Sequence, residues 1–401
     1  MATMLERARS AGIPVHSFDL EGDERWGVDP HEMWDAAGSV APLFYSPVNR
    51  GFFVAADYDT VKAVLQAPAV WSSSPTEMAF TKERVTLHVP PLSMDPPEHT
   101  GYRKALIPLF APNQLISLEP RIRELCHELI DGIFDKRSCD VTRDFASQLP
   151  SRFFLGWMGF EGGDMQRMFE LAEKAAFDFP TAEARRAIEE EIEGLIGQLF
   201  ELRRREPRDD LATALVNLRV DGEQIAEPTL LGIGSLTFIA GQETTSTQLA
   251  YVLYHLATHP EDRRSIVSDP TLIPSALEEL TRVYNTGGSN TRVAKQAGTL
   301  NGVEIEPGDR IFLARAAADR RLAEGIQLDR SPNRHTAFGL GVHRCIGSHV
   351  ARVEMRIALE VWHERIPEYS VTPGWVPSHR YGSFMQQLHN LPLRFPGLTD
   401  Q

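Results

Sequence analysis

Apolar residues recur at helical spacing along most of the chain. The stretches 118–134, 182–205 and 349–366 repeat apolar side chains every three or four residues, the spacing that lines one face of an α-helix. In the last stretch four apolar residues share such a face: Val350, Val353, Ile357 and Val361. The pattern therefore predicts three amphipathic helices.

Two stretches have the shorter periodicity of strands. "GFFVAADYDTVKAVLQ" predicts a short strand followed by a helix, and "LNGVEIEPGDRIFLA" predicts a hairpin that turns at the Glu306–Asp309 segment. No internal repeat, low-complexity linker or charge block divides the chain. We therefore expect one domain over residues 1–401, mainly α with a minor β region.

The stretch 229–259 predicts one helix of about 30 residues, where about 11 to 12 is average. Its centre is nearly free of charge, so we expect it to cross the core. That centre nevertheless contains "AGQETT", in which Gly241 costs about 1 kcal/mol of helix stability. A buried, unpaired Glu243 would cost several kcal/mol. A packing glycine beside a solvated glutamate is the alternative.

Net charge and cysteine content limit the functional class and the cellular compartment that we expect for the protein. The formal net charge is −14, which argues against a general nucleic-acid binder. The three cysteines are widely spaced and form no Cys-x-x-Cys pair, which suits a reducing compartment. No segment reaches the roughly 18 apolar residues of a membrane span, and the N-terminus does not resemble a signal peptide. We expect a soluble, cytoplasmic protein.

The loop "FGLGVHRCIG" surrounds one of these cysteines with glycines. A predicted helix begins directly after Cys345, so its first amides can point at the sulfur, and Arg344 is adjacent; both favour a thiolate. Gly339, Gly341 and Gly347 permit close approach to a flat ligand.

Three other interpretations of this loop stay open on composition alone. The cysteine could be a buried structural residue in a glycine turn, since free cysteine is among the most buried residue types. A phosphate-binding loop lacks the third glycine of the dinucleotide fingerprint. A zinc site of Cys345, His343 and His349 lacks a fourth ligand at the usual spacing.

Three further stretches supply charged groups. "EELTR" places Glu279 and Arg282 one helical turn apart, as a buried ion pair or an ordinary surface pair. "DPPEHTGYR" predicts the start of a helix with Asp95 as N-cap. His99 and Arg103 then lie on one face of this helix, where they could bind carboxylates or could simply be exposed to solvent. "SNTRVA" supplies Arg292 as another partner for carboxylates.

Taken together, these stretches make the chain resemble the cytochrome P-450 family, the haem-thiolate monooxygenases, in its soluble bacterial type. "FGLGVHRCIG" matches the family's haem-binding signature Phe-Gly-x-Gly-x-His-x-Cys-x-Gly at every fixed position. "AGQETT" matches the oxygen-binding motif, and "ELTR" matches Glu-x-x-Arg. The order and spacing agree from about residue 30 to the C-terminus.

The resemblance implies haem b as cofactor, with the thiolate of Cys345 as axial ligand of the iron. Further residues would surround the haem or hold its propionates: His99, Arg103, Ala240, Gly241, Arg292, Phe338, Gly339, His343 and Gly347. Ala240 and Gly241 would leave room for dioxygen, and Glu243 and Thr244 would relay protons. Glu279 and Arg282 would be structural, with Arg330 as third member. That assignment falls in a segment, "ARAAADRRLAEGIQLDRSPNRH", which departs from the family pattern.

The family's substrate pocket corresponds to four segments of this chain. They supply the following residues: Phe80, Leu87, Thr237, Ala240, Gly287, Gly288, Ser289, Phe384 and Met385. This lining is mostly apolar and shows no carboxylate-binding arginine, so we expect a small hydrophobic substrate, a terpenoid or norisoprenoid first and an aromatic compound second.

The resemblance also implies partners. Without a fused reductase, electrons would come from a ferredoxin and its reductase, and Arg103, Lys104 and Arg344 would attract an acidic ferredoxin. Two alternatives stay open: a peroxide-driven peroxygenase, and a haem-thiolate protein that binds a ligand without oxidising it. The Glu243-Thr244 pair argues against both.

Overall fold

The computed structural model describes residues 2–77, 80, 82, 86–87, 89–177, 182–381 and 385–396. Helices dominate it, as the periodicity predicts. The α-helices are α1 Met4–Ser10, α2 Pro30–Val40, α3 Tyr58–Leu65, α4 Glu98–Leu106, α5 Pro112–Leu115, α6 Glu119–Phe134, α7 Gln148–Met158, α8 Gly162–Phe177, α9 Ala182–Arg205, α10 Leu211–Val216, α11 Glu227–Thr258, α12 Pro260–Ser268, α13 Ile273–Val283, α14 Arg315–Arg320 and α15 Ser348–Arg365.

The strands are short and form several small sheets. They are β1 Leu43–Ser46, β2 Phe52–Ala55, β3 Trp71–Ser72, β4 Thr76–Glu77, β5 Thr86–Leu87, β6 Ser138–Asp140, β7 Arg219–Val220, β8 Glu223–Gln224, β9 Ser289–Ala294, β10 Gly298–Leu300, β11 Val303–Ile305, β12 Arg310–Ala314, β13 Ser370–Val371, β14 His379–Tyr381, β15 Gln386–Leu388 and β16 Pro392–Arg394. The largest described sheet has the order β1-β2-β12-β9-β3 and is antiparallel except where β12 lies parallel to β2. The fold is therefore mainly α with a minor β region.

Helix α11 crosses the core, as its length and low charge predict. Its 32 residues pack against α7, α9 and α15, and most of its side chains are buried. The predicted helices at 118–134, 182–205 and 349–366 are confirmed as α6, α9 and α15. On α15, Val350, Ile357 and Val361 are buried and Val353 is partly buried.

The hairpin prediction was wrong. β11 pairs with β10 through a turn at Asn301 and Gly302, both at positive φ, whereas β12 pairs with β9 and β2. The Glu306–Asp309 segment does form a turn, in which the Glu306 amide donates to the Asp309 carboxylate at 2.8 Å, but it joins two different sheets. The Asp309 carboxylate also pairs with Arg7 of α1. The predicted strand and helix of residues 51–66 are confirmed as β2 and α3.

The predicted N-cap was also wrong. Helix α4 begins at Glu98 after Pro97, and no side chain caps it. The carboxylate of Asp95 instead accepts hydrogen bonds from the Ser72 hydroxyl (2.6 Å) and the Ser73 amide (2.9 Å), and pairs with Lys295. Asp95 therefore ties the start of α4 to β3 and to the end of β9.

Candidate functional site

A cavity of about 350 Å³ lies between the middle of α11 and the loop that precedes α15. On one side it is lined by Thr237, Ala240 and Thr244 of α11, and on the other by Cys345 and Gly347. The structure thus brings the two most informative sequence motifs, about 100 residues apart in the chain, to the same internal space.

The cysteine loop, residues 338–347, is held by a hydrogen bond within its own backbone. The amide of Cys345 donates to the Phe338 carbonyl at 2.7 Å, and the Phe338 ring lies 4.1 Å from the Arg352 guanidinium carbon. Gly339 and Gly341 have φ values of 69° and 68°, which favour glycine. At Gly341 a Cβ would also collide with the Leu65 carbonyl, so contact with the end of α3, rather than approach to a ligand, requires that glycine.

Among the three cysteines, Cys345 alone has an exposed surface, which faces the cavity inside the protein, whereas Cys126 and Cys139 are buried. The surrounding protein raises the pKa of the Cys345 thiol by desolvation, while the Gly347 amide and then Arg103, Arg315 and Arg344 favour the thiolate. The helix-start amide and Arg344, both predicted from the sequence, therefore act on the sulfur, together with Arg103 and Arg315. Their effect is smaller than that of burial.

Two histidines and two arginines cluster beside the cysteine. The ring centroids of His99 and His343 are 4.2 Å apart, and both side chains line the cavity together with Arg103. Arg103 also donates to the Arg344 carbonyl at 2.6 Å. Arg292 does not line the cavity, but its charge acts on both histidines, and its guanidinium donates to the carbonyl of Thr291.

This cluster contains buried polar atoms without partners. Neither ring nitrogen of His99 has a hydrogen-bond partner within the described residues, and neither does Nε2 of His343. Burial lowers the pKa of His99 to about 4 and that of His343 to about 3, with Arg103 and Arg292 acting in the same direction. Unsatisfied groups of this kind are costly, so the cluster is suited to a bound anion.

On α11 the central motif contributes to the cavity unequally. The Thr244 hydroxyl lines it and donates to the Ala240 carbonyl at 3.0 Å. Glu243 points elsewhere, is 8% exposed, and has a pKa raised to about 7 by burial and by Glu173. A Cβ on Gly241 would lie 2.5 Å from the Phe154 ring, so packing of α7 already takes the space on that side of the glycine.

The structural triad forms as the resemblance implies, including the third member in the atypical segment. The Glu279 carboxylate accepts from Arg282 at 2.8 and 2.9 Å and from Arg330 at 3.0 Å. The amide groups of Gln327 and Asn333 complete its shell. Burial raises the pKa of this carboxyl, but the hydrogen bonds outweigh that and hold it at about 2.

The predicted pocket residues fall into two groups. Thr237, Ala240, Gly287 and Ser289 line the cavity. Three of the predicted residues do not line it: Phe80, Gly288 and Met385. The side chain of Leu87 and the whole of Phe384 lie outside the described residues.

Packing explains these corrections. Phe80 is 1% exposed, lies against the Phe52 ring at 5.1 Å and under the Arg310 guanidinium at 4.0 Å, and so belongs to the core. Gly288 faces Trp34 and Ala316, which leave no room for a Cβ. Met385 is buried away from the cavity.

Two charged residues that the sequence analysis did not assign also line the cavity, Arg315 and Glu354. Arg315 contacts the carbonyls of Thr336 and Ala337, directly before the cysteine loop. It lies in the "ARAAADRR" segment that departs from the family pattern, so no motif marked it. Glu354 follows Cys345 by nine residues on α15 and is 1% exposed, and burial raises its pKa.

Comparison with known proteins identifies the relatives of this chain. The family model "Cytochrome P450" matches residues 160–324. Mycinamicin IV hydroxylase/epoxidase of Micromonospora griseorubida is 39% identical over 371 residues, which cover 88% of this chain and 89% of that protein. Cytochrome P450 monooxygenase PikC of Streptomyces venezuelae is 29% identical and covers 97% of this chain and 96% of its own length. The crystal structure of cytochrome P450 CYP101C1 superposes with a TM-score of 0.86 at 27% identity, over 96% of this chain and 99% of that one.

Proposed function

Because this chain belongs to the cytochrome P450 family of haem-thiolate monooxygenases, we propose that it binds haem b through Cys345 and hydroxylates a small, mostly hydrophobic molecule. The single observation that carries this proposal is the shared cavity. It brings the Cys345 sulfur, the unpartnered histidine rings and the Thr244 hydroxyl together. We further propose that residues 1–401 form a single domain.

The residues around the cavity fit a haem. Cys345 offers the axial ligand, and Phe338, Gly339 and Gly347 lie beside it. His99, Arg103, Arg292 and His343 offer donors for two carboxylates, and charge-assisted hydrogen bonds of this kind are strong. Each histidine ring could then donate its N–H to a carboxylate oxygen.

The bound haem would activate dioxygen with two electrons, and the protein must supply two protons. Glu243 has a pKa of about 7, so near neutral pH it can both hold and release a proton. The Thr244 hydroxyl lies next to it in sequence but inside the cavity. By turning from the Ala240 carbonyl, this hydroxyl can hold a water and pass a proton inward. These two residues therefore form the proposed relay.

The substrate would occupy the space beside α11. Thr237, Ala240, Gly287 and Ser289 supply small and hydroxyl-bearing surfaces, with Leu92 and Leu236 nearby. This lining supports a terpenoid or norisoprenoid first and an aromatic compound second. One relative is named for its action on mycinamicin IV, so a ligand screen should also contain this larger candidate substrate.

Electron delivery by a ferredoxin and its reductase is part of the same proposal. Lys104 and Arg344 are exposed, and Arg103 links the surface near them to the cavity. Reversing Lys104 and Arg344 to Glu should weaken ferredoxin-driven turnover at low salt, because electrostatic steering would be lost. Unchanged turnover would refute this docking site.

Turnover assays test the proposed function. Candidate compounds are first screened for a shift of the haem spectrum, and those that bind are then incubated with ferredoxin, reductase and a nicotinamide donor. Hydroxylated product that requires dioxygen and the donors supports the proposal. Product formed with hydrogen peroxide alone would identify a peroxygenase. Ligand binding without product in either system would favour the non-catalytic alternative.

A further inference from the structure

Arg315 is a buried cation that the reaction described above does not use. It begins α14 directly after β12, is 6% exposed, and lines the same cavity as Cys345. Its position is set by a strand at the centre of the largest sheet, so the side chain is anchored at its base.

The guanidinium bridges two segments of the cavity wall. Nη1 donates to the carbonyls of Thr336 (2.7 Å) and Ala337 (3.0 Å), directly before the cysteine loop. Nη2 donates to the carbonyls of Gly287, in the loop after α13, and Ser289, at the start of β9. Nε is buried and has no partner in the part of the chain that the structure describes.

These contacts leave Arg315 without a described ion pair. The Asp319 carboxyl acts on it through its charge, but that carboxyl is held by Asn285 and the Thr336 amide. Carbonyl dipoles satisfy donors but do not neutralise a full charge, and a buried unpaired ion is expensive.

Like charges gather around the same space. Arg103 and Arg315 both line the cavity, and Arg292 is close enough to Arg315 for their charges to repel. Three guanidinium groups around this space, none of them in a described ion pair with a carboxylate, point to an anionic ligand with more than one negative charge.

We propose that Arg315 is a third guanidinium that holds a haem propionate and raises the reduction potential of the bound iron. This inference rests on the haem site of the proposed function. Reduction adds one negative charge to the haem, so a buried positive charge beside it favours the ferrous form. Loss of that charge should shift the ferric–ferrous equilibrium at least about tenfold toward ferric, which is about 59 mV for one electron.

The experiment uses the full-length haem protein and three variants. Arg315→Gln removes the charge, Arg315→Lys keeps it with fewer donors, and Arg321→Gln removes the same charge at the exposed end of α14. The midpoint potential is measured by spectroelectrochemistry, and haem loss by transfer to excess apomyoglobin. We expect a lower potential and several-fold faster haem loss for Arg315→Gln, a potential near wild type for Arg315→Lys, and wild-type values for Arg321→Gln.

Several results would overturn the inference. A wild-type potential in Arg315→Gln would leave Arg315 as a structural tie between carbonyls. An equal fall in Arg315→Lys and Arg315→Gln would show that charge is not the cause. If Arg315→Gln changed only the binding of carboxylate-bearing compounds, the anion would be a substrate.

If the Arg315→Gln variant does not fold, a second measurement tests the inference without it. Wild-type protein and Arg315→Lys are reconstituted with haem dimethyl ester, which has no free carboxylate. Esterification should accelerate haem loss several-fold more in wild-type protein than in Arg315→Lys, which has fewer donors for the carboxylate; an equal acceleration in the two proteins overturns the inference. If the wild-type protein binds no haem, both this inference and the proposed function are overturned. If it binds haem through a thiolate but the Arg315 variants keep the wild-type potential and haem-loss rates, this inference alone is overturned.

Discussion

Glu243 and Thr244 are neighbours on α11, yet their side chains lie in different surroundings. The Thr244 hydroxyl lines the cavity and donates to the Ala240 carbonyl, whereas the Glu243 carboxyl is buried near the Glu173–Arg380 ion pair. One residue thus faces the reaction space and the other faces a partly exposed charged pair. A proton moving between them would enter the cavity from that side.

Replacing Thr244 by Ala should uncouple electron use from product formation. Without the hydroxyl, the inner end of the relay is missing, so oxygen consumption should continue while product per electron pair falls several-fold. Thr244→Ser should restore most of the coupling. Thr247→Ala, on the same helix but not lining the cavity, is the matched control. Wild-type coupling in Thr244→Ala would refute the assignment.

Glu243 should make stability depend on pH. Its folded pKa of about 7 lies above the ordinary value of 4.5, so the folded state holds the proton more tightly. That stabilisation is complete below about pH 4.5 and is lost as pH rises through 7, by about 3 kcal/mol in all. Glu243→Gln should lack this loss. Urea unfolding of both proteins at pH 5 and pH 8 measures the difference; parallel pH dependence would contradict the burial of this carboxyl.

Glu279 has the opposite pH dependence. Its pKa of about 2 lies below 4.5, so its contribution is present above about pH 4.5 and is lost as pH falls toward 2. Glu279→Gln at neutral pH should cost about 3–5 kcal/mol, because Arg282 and Arg330 would be left without their partner. Glu278→Gln, whose side chain is 28% exposed, should cost less. Equal unfolding free energies for the two variants would contradict the triad.

Phe80 should behave as a core residue. Phe80→Ala should lower the free energy of unfolding by about 3–5 kcal/mol and leave ligand affinity unchanged in the fraction that folds. Thr237→Val should do the reverse, altering the ligand-induced spectral shift with little effect on stability. Weakened ligand binding in Phe80→Ala at wild-type stability would restore Phe80 to the pocket.

The sequence was sufficient for the helices because their apolar periodicity reports burial directly. It located α9 to the residue and α11 to within two residues at each end. It failed for β11 and β12, because strand pairing depends on contacts far away in the chain. The Asp309–Arg7 ion pair, 302 residues apart, is one such contact. The same reason explains Asp95, whose partners Ser72 and Lys295 lie in other segments.

The residues of the candidate site could be predicted from the sequence where they belong to a recognisable motif. Cys345, His99, Arg103 and His343 belong to recognisable patterns, and the structure brings them together. Arg315 belongs to none, and only the fold shows that β12 delivers it to the cavity. Gly241 lines the cavity, and only the fold shows that the ring of Phe154 on α7 fills the place that a Cβ would take there.

The carbon monoxide difference spectrum of the dithionite-reduced protein tests the central claim most directly. Wild-type protein should show the strongly red-shifted Soret band of thiolate-ligated haem, and Cys345→His should bind haem without that band. A haem spectrum that lacks the shift in the wild type, or a shifted band that persists in Cys345→His, would contradict the assignment of Cys345 as the axial ligand.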